Sequence, residues 1–191
     1  YIPGMEVAGR IDAVGPGVPE SRVGESVIVG MKYGGYTERV VVKNRQALAA
    51  APDFSLEENA AFGVNFMTAW VSLMEMARLR ADDLVVVTAA AGGVGTAAVQ
   101  MAAAFGCDVV GMAGSAEKLT KVKELGARAA VNYRAPEWKP VISGPVSRQS
   151  SSNSVRKTGR CWISGQQSRP GSTSGTAAIP ENLIFRPTNS S

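Results

Sequence analysis

Histidine is absent from this 191-residue chain, and cysteine occurs twice, at Cys107 and Cys161. The first absence excludes imidazole catalysis and any zinc site with a histidine ligand. Two lone cysteines, more than 50 residues apart, are too few for a disulfide scaffold, and each reads as a buried or incidental thiol. Aromatic residues are scarce at 6% and charged residues make up 19%. No apolar run approaches the ~20 residues that a membrane helix needs. The opening Tyr1-Ile2-Pro3-Gly4 lacks the basic start and apolar run of a secretory signal. Because it opens on Tyr rather than Met, the natural start is expected to lie upstream. What is present is a 45% hydrophobic content, enough for a real core in one modest domain or two incomplete ones.

The net charge of +4 is unevenly distributed. Residues 1–138 carry 13 Lys/Arg against 15 Asp/Glu, whereas residues 139–191 carry 7 against the single acid Glu181. The basic character therefore belongs to the last quarter. That quarter holds 12 Ser, 5 Pro and 5 Gly, has neither a two- nor a 3.6-residue period, and buries too little apolar surface to offset the entropy of ordering. Residues 135–191 are expected to be a disordered tail, with only Ile179–Arg186 able to form a short ordered piece. Such a tail leaves nucleic-acid binding as an alternative rather than the preferred reading.

Two further regions precede the tail. Residues 1–52 read as β structure, with strands over Glu6–Val14, Ser26–Gly30 and Tyr36–Val42 and turns at Gly15-Pro16-Gly17 and Gly34-Gly35. Residues 53–134 alternate. Ser55-Leu56-Glu57-Glu58 is a capping box that opens a helix, expected to break near Gly63 and resume through Thr68–Leu79. The continuous apolar run Leu84–Thr88 is typical of a buried parallel strand. A glycine cluster, a helix over Thr96–Phe105 closed by Gly106, a strand over Asp108–Met112, a helix capped by Ser115 and a strand over Ala129–Asn132 follow. This β-α-β-α-β order predicts an α/β fold with right-handed crossovers and a parallel sheet.

The stretch with the most chemical content is Thr88-Ala89-Ala90-Ala91-Gly92-Gly93-Val94-Gly95, between a strand and a helix. Glycines there let backbone N–H groups approach a pyrophosphate at a helix N-terminus. The plainer alternative is a tight turn with close strand–helix packing. The next strand tip, ~20 residues on, tests which dinucleotide fits. An NAD site shows Asp or Glu there; this chain shows Met112-Ala113-Gly114-Ser115-Ala116-Glu117-Lys118. A neutral tip, the Ser115 hydroxyl and the Lys118 ammonium suit a 2′-phosphate, and NADP(H) is the expected cofactor. The alternative for Lys118 is a solvated residue paired with Glu117.

Six motifs occur in order: Tyr1–Gly9, Gly34-Gly35-Tyr36-Thr37-Glu38, Thr68-Ala69-Trp70, Ala89–Gly95, Ser115–Leu119 and Ala130-Val131-Asn132-Tyr133. Together they resemble the zinc-free quinone oxidoreductase branch of the medium-chain dehydrogenase/reductase superfamily, which includes ζ-crystallin and enoyl reductases. The resemblance covers roughly residues 1–134. It implies a GroES-like β domain followed by a Rossmann domain, with the cofactor in the cleft between them. By resemblance, Gly92, Gly93, Val94 and Gly95 lie along the pyrophosphate, and Gly114, Ser115 and Lys118 surround the 2′-phosphate. Tyr133 lies by the adenosine end, and Thr68, at the start of a helix, reaches the phosphate or nicotinamide side. For Tyr133 the alternative is a strand-end packing residue, and for Thr68 a helix cap. Zinc-dependent relatives carry His where this chain has Met5 and Cys where it has Val64, so no metal site is expected.

By the same resemblance, NADPH delivers hydride to a quinone or an α,β-unsaturated carbonyl, with positioning and water exclusion supplying most of the rate. Tyr33 and Tyr36 are better explained as β-barrel packing residues than as proton donors, and no catalytic residue is assigned. A cytoplasmic protein with a small-molecule substrate, no membrane span and no nucleic-acid partner is expected. The family is usually homo-oligomeric, but the dimer edge, further β strands and the second Rossmann half are expected to be missing from a chain truncated at both ends. A three-strand parallel sheet would then leave one edge and one face uncovered. A non-catalytic cofactor-binding or structural relative is the alternative from a different functional class.

Overall fold

The computed structural model describes residues 1–136 and Trp138, together with the backbone of residues 160–163 and 182–187. Two compact units emerge: Tyr1–Val64 with Arg169–Ser191, and Asn65–Ser168.

In the first unit, strand β1 (Glu6–Val14) pairs antiparallel with β2 (Ser26–Gly30), from Glu6 opposite Gly30 to Arg10 opposite Ser26. Strands β3 (Val40–Lys43) and β4 (Ala47–Ala49) follow. Far along the chain comes β9 (Asn182–Pro187), which inserts between β1 and β3 and gives the sheet order β3-β9-β1-β2-β4. The β structure that the short strands need thus comes from a segment within the expected tail, where Ile179–Arg186 was the one candidate for order. The period-2 alternation buries Val27 and Val29 of β2 with Val7, Ile11 and Val42 in one cluster.

The third strand starts later than Tyr36. Residues 34–36 donate instead to the opening segment: Gly34 N–H to Ile2 O (2.9 Å) and Tyr36 N–H to Pro3 O (2.9 Å). Tyr33 and Tyr36 are 58% and 77% exposed, so neither is the packing residue expected from sequence.

Ser55 forms its capping box as the sequence requires: Glu58 N–H donates to Ser55 Oγ (3.1 Å) and Ser55 N–H to Glu58 Oε2 (2.8 Å). Helix α1 (Leu56–Trp70) then runs unbroken through Gly63, contrary to the expected interruption. A mid-helix glycine costs only about 1 kcal/mol, which packing overrides. The helix continues into a π-helical segment over Val71–Met76, where Ala77 N–H reaches Ser72 O (3.0 Å), and Leu73 is fully buried.

Near the start of α1, Asn59 is 3% exposed, and its amide closes the loop ahead of the helix. Ala51 N–H donates to Oδ1 (2.9 Å), while Nδ2 donates to the carbonyls of Ala51, Phe54 and Ser55 at 3.0–3.2 Å. Asn59→Ala strands these buried backbone groups. The expected cost is about 2–3 kcal/mol, read as a fall in the urea midpoint with unchanged m-value.

In the second unit, β5 (Leu84–Val87), β6 (Asp108–Ala113), β7 (Ala129–Asn132) and β8 (Arg160–Ile163) form a wholly parallel sheet in the order β7-β6-β5-β8. The expected three-strand sheet therefore has a fourth strand, β8, beside β5. Helices α2 (Gly93–Ala104) and α3 (Ala116–Glu124) connect the first three strands. Val85 and Val87 face a core shared with Ala97, Val99 and Val122, while Val86, Val110, Met112 and Val131 form a second buried cluster with Trp138 against it. Burial on both faces explains the uninterrupted apolar run of β5. It also corrects the expectation that one face lies bare.

Candidate functional site

The strand order of the parallel sheet reverses beside β5: the chain steps outward from β5 to β6 to β7, then returns to the other side of β5. In open parallel sheets, ligands gather at the carboxyl end of such a reversal. Here that end carries the glycine-rich turn.

The turn is held by its own backbone. Ala90 N–H donates to Met112 O (2.9 Å) and Gly92 N–H to Ala89 O (2.8 Å), with Ala89 held at φ 49°. Gly92 is the N-cap of α2 in extended conformation and, as a glycine, offers no side chain of its own to cap the helix. The N–H groups of Gly93, Val94 and Gly95 are those that helix geometry leaves without an intrahelical acceptor. The first turn of α2 carries no acid, whereas Glu57 and Glu58 stand in the first turn of α1 and Glu117 in that of α3. The partial positive charge at the start of α2 is thus not offset within its own first turn.

The four turn residues divide by role. Gly92 and Gly93 are exposed, while Val94 is half-buried and Gly95 is buried. A Cβ at Gly95 would collide with the Ala89 carbonyl oxygen and stand 2.8 Å from Ala90 Cα, so this glycine lets the helix approach the turn. A Cβ at Gly93 would instead meet the Asn65 side chain, with Oδ1 at 2.5 Å. Asn65 was not singled out from sequence. It precedes Thr68 by three residues on α1, so the two share a helix face. Thr68 itself is exposed in the interior of α1 rather than at a helix start, and its carbonyl accepts the Ser72 hydroxyl (2.8 Å).

At the tip of β6, Ser115 caps α3 by accepting Lys118 N–H at 3.5 Å. The ion pair described on α3 is Lys121–Glu124 (3.6 Å); no carboxylate among the described residues lies within ion-pair distance of Lys118. Tyr133, beyond β7, donates its N–H to Ala113 O (3.3 Å), and its ring lies over Gly114. Arg134 lies over Gly114 as well, another residue not singled out from sequence; its signal was a basic side chain two residues past the end of β7. The tips of β5, β6 and β7 thus bring together Gly92–Gly95, Gly114, Ser115 and Tyr133, with Lys118 one turn into α3.

Two other features bear on metal and thiol chemistry. Glu6 Oε2 accepts the N–H of Val64 at 2.6 Å in the first unit. This bond joins the residue after Met5 to Val64. Cys107 precedes β6 at the opposite end of that strand. Partial burial, then the Asp83 carboxylate, raises its pKa above the ordinary thiol value, leaving a poor nucleophile at neutral pH.

A parallel sheet with an order reversal beside a glycine-rich strand-to-helix turn defines a Rossmann-type nucleotide-binding fold. Residues 93–144 match a family profile described as "Zinc-binding dehydrogenase". Pig (Sus scrofa) quinone oxidoreductase is 35% identical over 150 residues, covering 78% of this chain and 46% of the relative. The crystal structure of an NAD-dependent alcohol dehydrogenase superposes with a TM-score of 0.69 at 32% identity, covering 75% of this chain and 51% of the other. Escherichia coli quinone oxidoreductase complexed with NADPH gives 0.67 at 30% identity, over 74% of this chain and 45% of the other. The chain belongs to the medium-chain dehydrogenase/reductase superfamily, in its quinone oxidoreductase branch. It spans less than half the length of the pig relative.

Proposed function

We propose that this chain serves an NADPH-dependent, zinc-independent oxidoreductase that reduces a quinone or an α,β-unsaturated carbonyl. The observation that carries the reading is the glycine-capped, acid-free start of α2 at the point where the parallel strand order reverses. The exposed backbone of Gly92 and Gly93 and the N–H groups of the first turn would hold the pyrophosphate; Gly95 supports them by packing. Ser115 and Lys118 would take the 2′-phosphate, Tyr133 would flank the adenosine, and Thr68 would approach the phosphate or nicotinamide side from α1. The chemistry that a reduced nicotinamide held there would supply is hydride transfer to an electrophilic acceptor carbon. The protein's own contribution is to bind and orient, without an imidazole base, since the chain has no histidine.

The profile's description names zinc, but Met5 and Val64 lack the ligand chemistry of the zinc-dependent relatives. A soluble cytoplasmic setting and a small-molecule substrate belong to this proposal, as does the absence of a nucleic-acid partner. Among the described residues no helix is long and apolar enough to cross a membrane.

The test is NADPH consumption by the purified chain with phenanthrenequinone, run with and without a zinc chelator. Turnover insensitive to the chelator is expected. NADPH binding without turnover on any quinone or enone would favour a non-catalytic relative, and absence of NADPH binding would overturn the reading.

A further inference from the structure

The tip of β6 is where dinucleotide sites that take an unphosphorylated ribose project a carboxylate. Here the position is Gly114, and the space a side chain would need is already filled. A Cβ on Gly114 would stand 2.6 Å from Tyr133 Oη, 2.9 Å from Tyr133 Cζ and 3.0 Å from Arg134 Nε. The first two distances lie inside van der Waals contact. Glycine at 114 is therefore what allows a phenol and a guanidinium to close over the strand tip.

Both side chains spring from a backbone held on two sides. Ala113 is in register with Asn132 across β6 and β7, and Tyr133 N–H extends that ladder by donating to Ala113 O (3.3 Å). Arg134 N–H donates to Asn132 Oδ1 (2.9 Å), and Ala135 N–H donates to Asn132 O (3.1 Å), closing the turn. The stem of Arg134 thus starts from a fixed point beside the tip. Among the described residues no carboxylate lies within ion-pair distance of its guanidinium. A planar fork of donors, with no carboxylate beside it among the described residues and at a fixed place where the ribose edge of a dinucleotide would lie, matches a phosphate dianion in shape and charge.

We propose that Arg134 is a specificity-determining residue that binds the 2′-phosphate of NADP(H), with Gly114 kept bare so that the guanidinium can reach it. The proposal rests on the cofactor reading above and adds to it a second cation, from a different element than Lys118. One charge comes from the first turn of α3 and the other from the turn after β7, so the phosphate would be held from two directions. The same arrangement disfavours an acidic residue at the tip, because any side chain at 114 must displace Tyr133 or Arg134.

Calorimetric titration of the full chain with 2′,5′-ADP and with 5′-AMP tests this without turnover. Arg134 is exposed, so Arg134→Gln is expected to melt as the wild type does. Loss of a charge-assisted contact should weaken 2′,5′-ADP binding about 10- to 100-fold and leave 5′-AMP unchanged. Arg134→Lys keeps the charge but not the fork and should fall between. Unchanged 2′,5′-ADP affinity in Arg134→Gln, or an equal loss for both nucleotides, overturns the proposal while the cofactor reading stands. If the wild-type chain binds neither nucleotide, the cofactor reading fails and this proposal with it.

Discussion

Gly95→Ala is expected to cost about 3 kcal/mol of unfolding free energy, despite alanine being the better helix former by up to ~1 kcal/mol. The added methyl would meet backbone on its near side: the Ala89 carbonyl oxygen, Ala89 carbonyl carbon at 2.9 Å and Ala90 Cα at 2.8 Å. Backbone cannot rotate away. Relief requires α2 to move off a core in which Ala97, Ala98, Val99 and Ala102 are all fully buried. Gly93→Ala makes the informative contrast. Its methyl meets the end of the Asn65 side chain, which can change rotamer, so the stability cost should stay below about 1 kcal/mol. If Gly93 lines the pyrophosphate, its loss falls on NADPH affinity instead. Urea denaturation paired with NADPH titration separates the two, and equal stability losses for both variants would refute the division of roles within the turn.

Lys118→Glu should weaken NADPH binding by at least about 100-fold, because an attraction to the 2′-phosphate is replaced by a repulsion, with each charge contact near 1.5–3 kcal/mol. NADH binding should be unchanged or improved. Lys118 is exposed and has no carboxylate partner among the described residues, so the variant loses no ion pair and should fold normally. The effect should shrink with added salt, as expected for a solvent-accessible charge. Equal weakening of both dinucleotides would mean that Lys118 supports the fold of the turn rather than reading the phosphate. Combining Lys118→Gln with Arg134→Gln then measures whether the two cations are coupled through a shared anion.

Local chemistry was legible in the sequence wherever it decided the structure. The strands Glu6–Val14, Ser26–Gly30 and Ala129–Asn132 fall where pattern and turn residues placed them. The Ser55 box and the Ser115 cap form because each needs only residues within one helical turn. What escaped depends on partners distant in the chain. Tyr36, expected to open the third strand, is instead diverted by its hydrogen bond to Pro3 O, and the strand begins at Val40. Strand β9 pairs with β1 across most of the chain, and β8 with β5, from segments whose composition reads as unstructured. Gly63 looked like a helix break because propensity ignores packing, and the π-helical segment shifts the helical period by an amount that a 3.6-residue pattern does not register.

The candidate site shows the same division. The glycine cluster and Ser115-Lys118 announce themselves as motifs. Asn65 and Arg134 do not: each matters only because the fold lays it against a glycine elsewhere, Gly93 and Gly114 respectively. The openness of Gly92 and Gly93 against the burial of Gly95 was likewise invisible, since a glycine that admits a ligand and one that admits a neighbouring backbone read alike in sequence.

Amide hydrogen exchange of the full chain, with and without saturating NADPH, tests the central claim most directly. Slowed exchange at the N–H groups of Gly93, Val94 and Gly95 is predicted, because a phosphate resting on the first turn of α2 would occupy them. NADPH binding that leaves these three amides unprotected would contradict it.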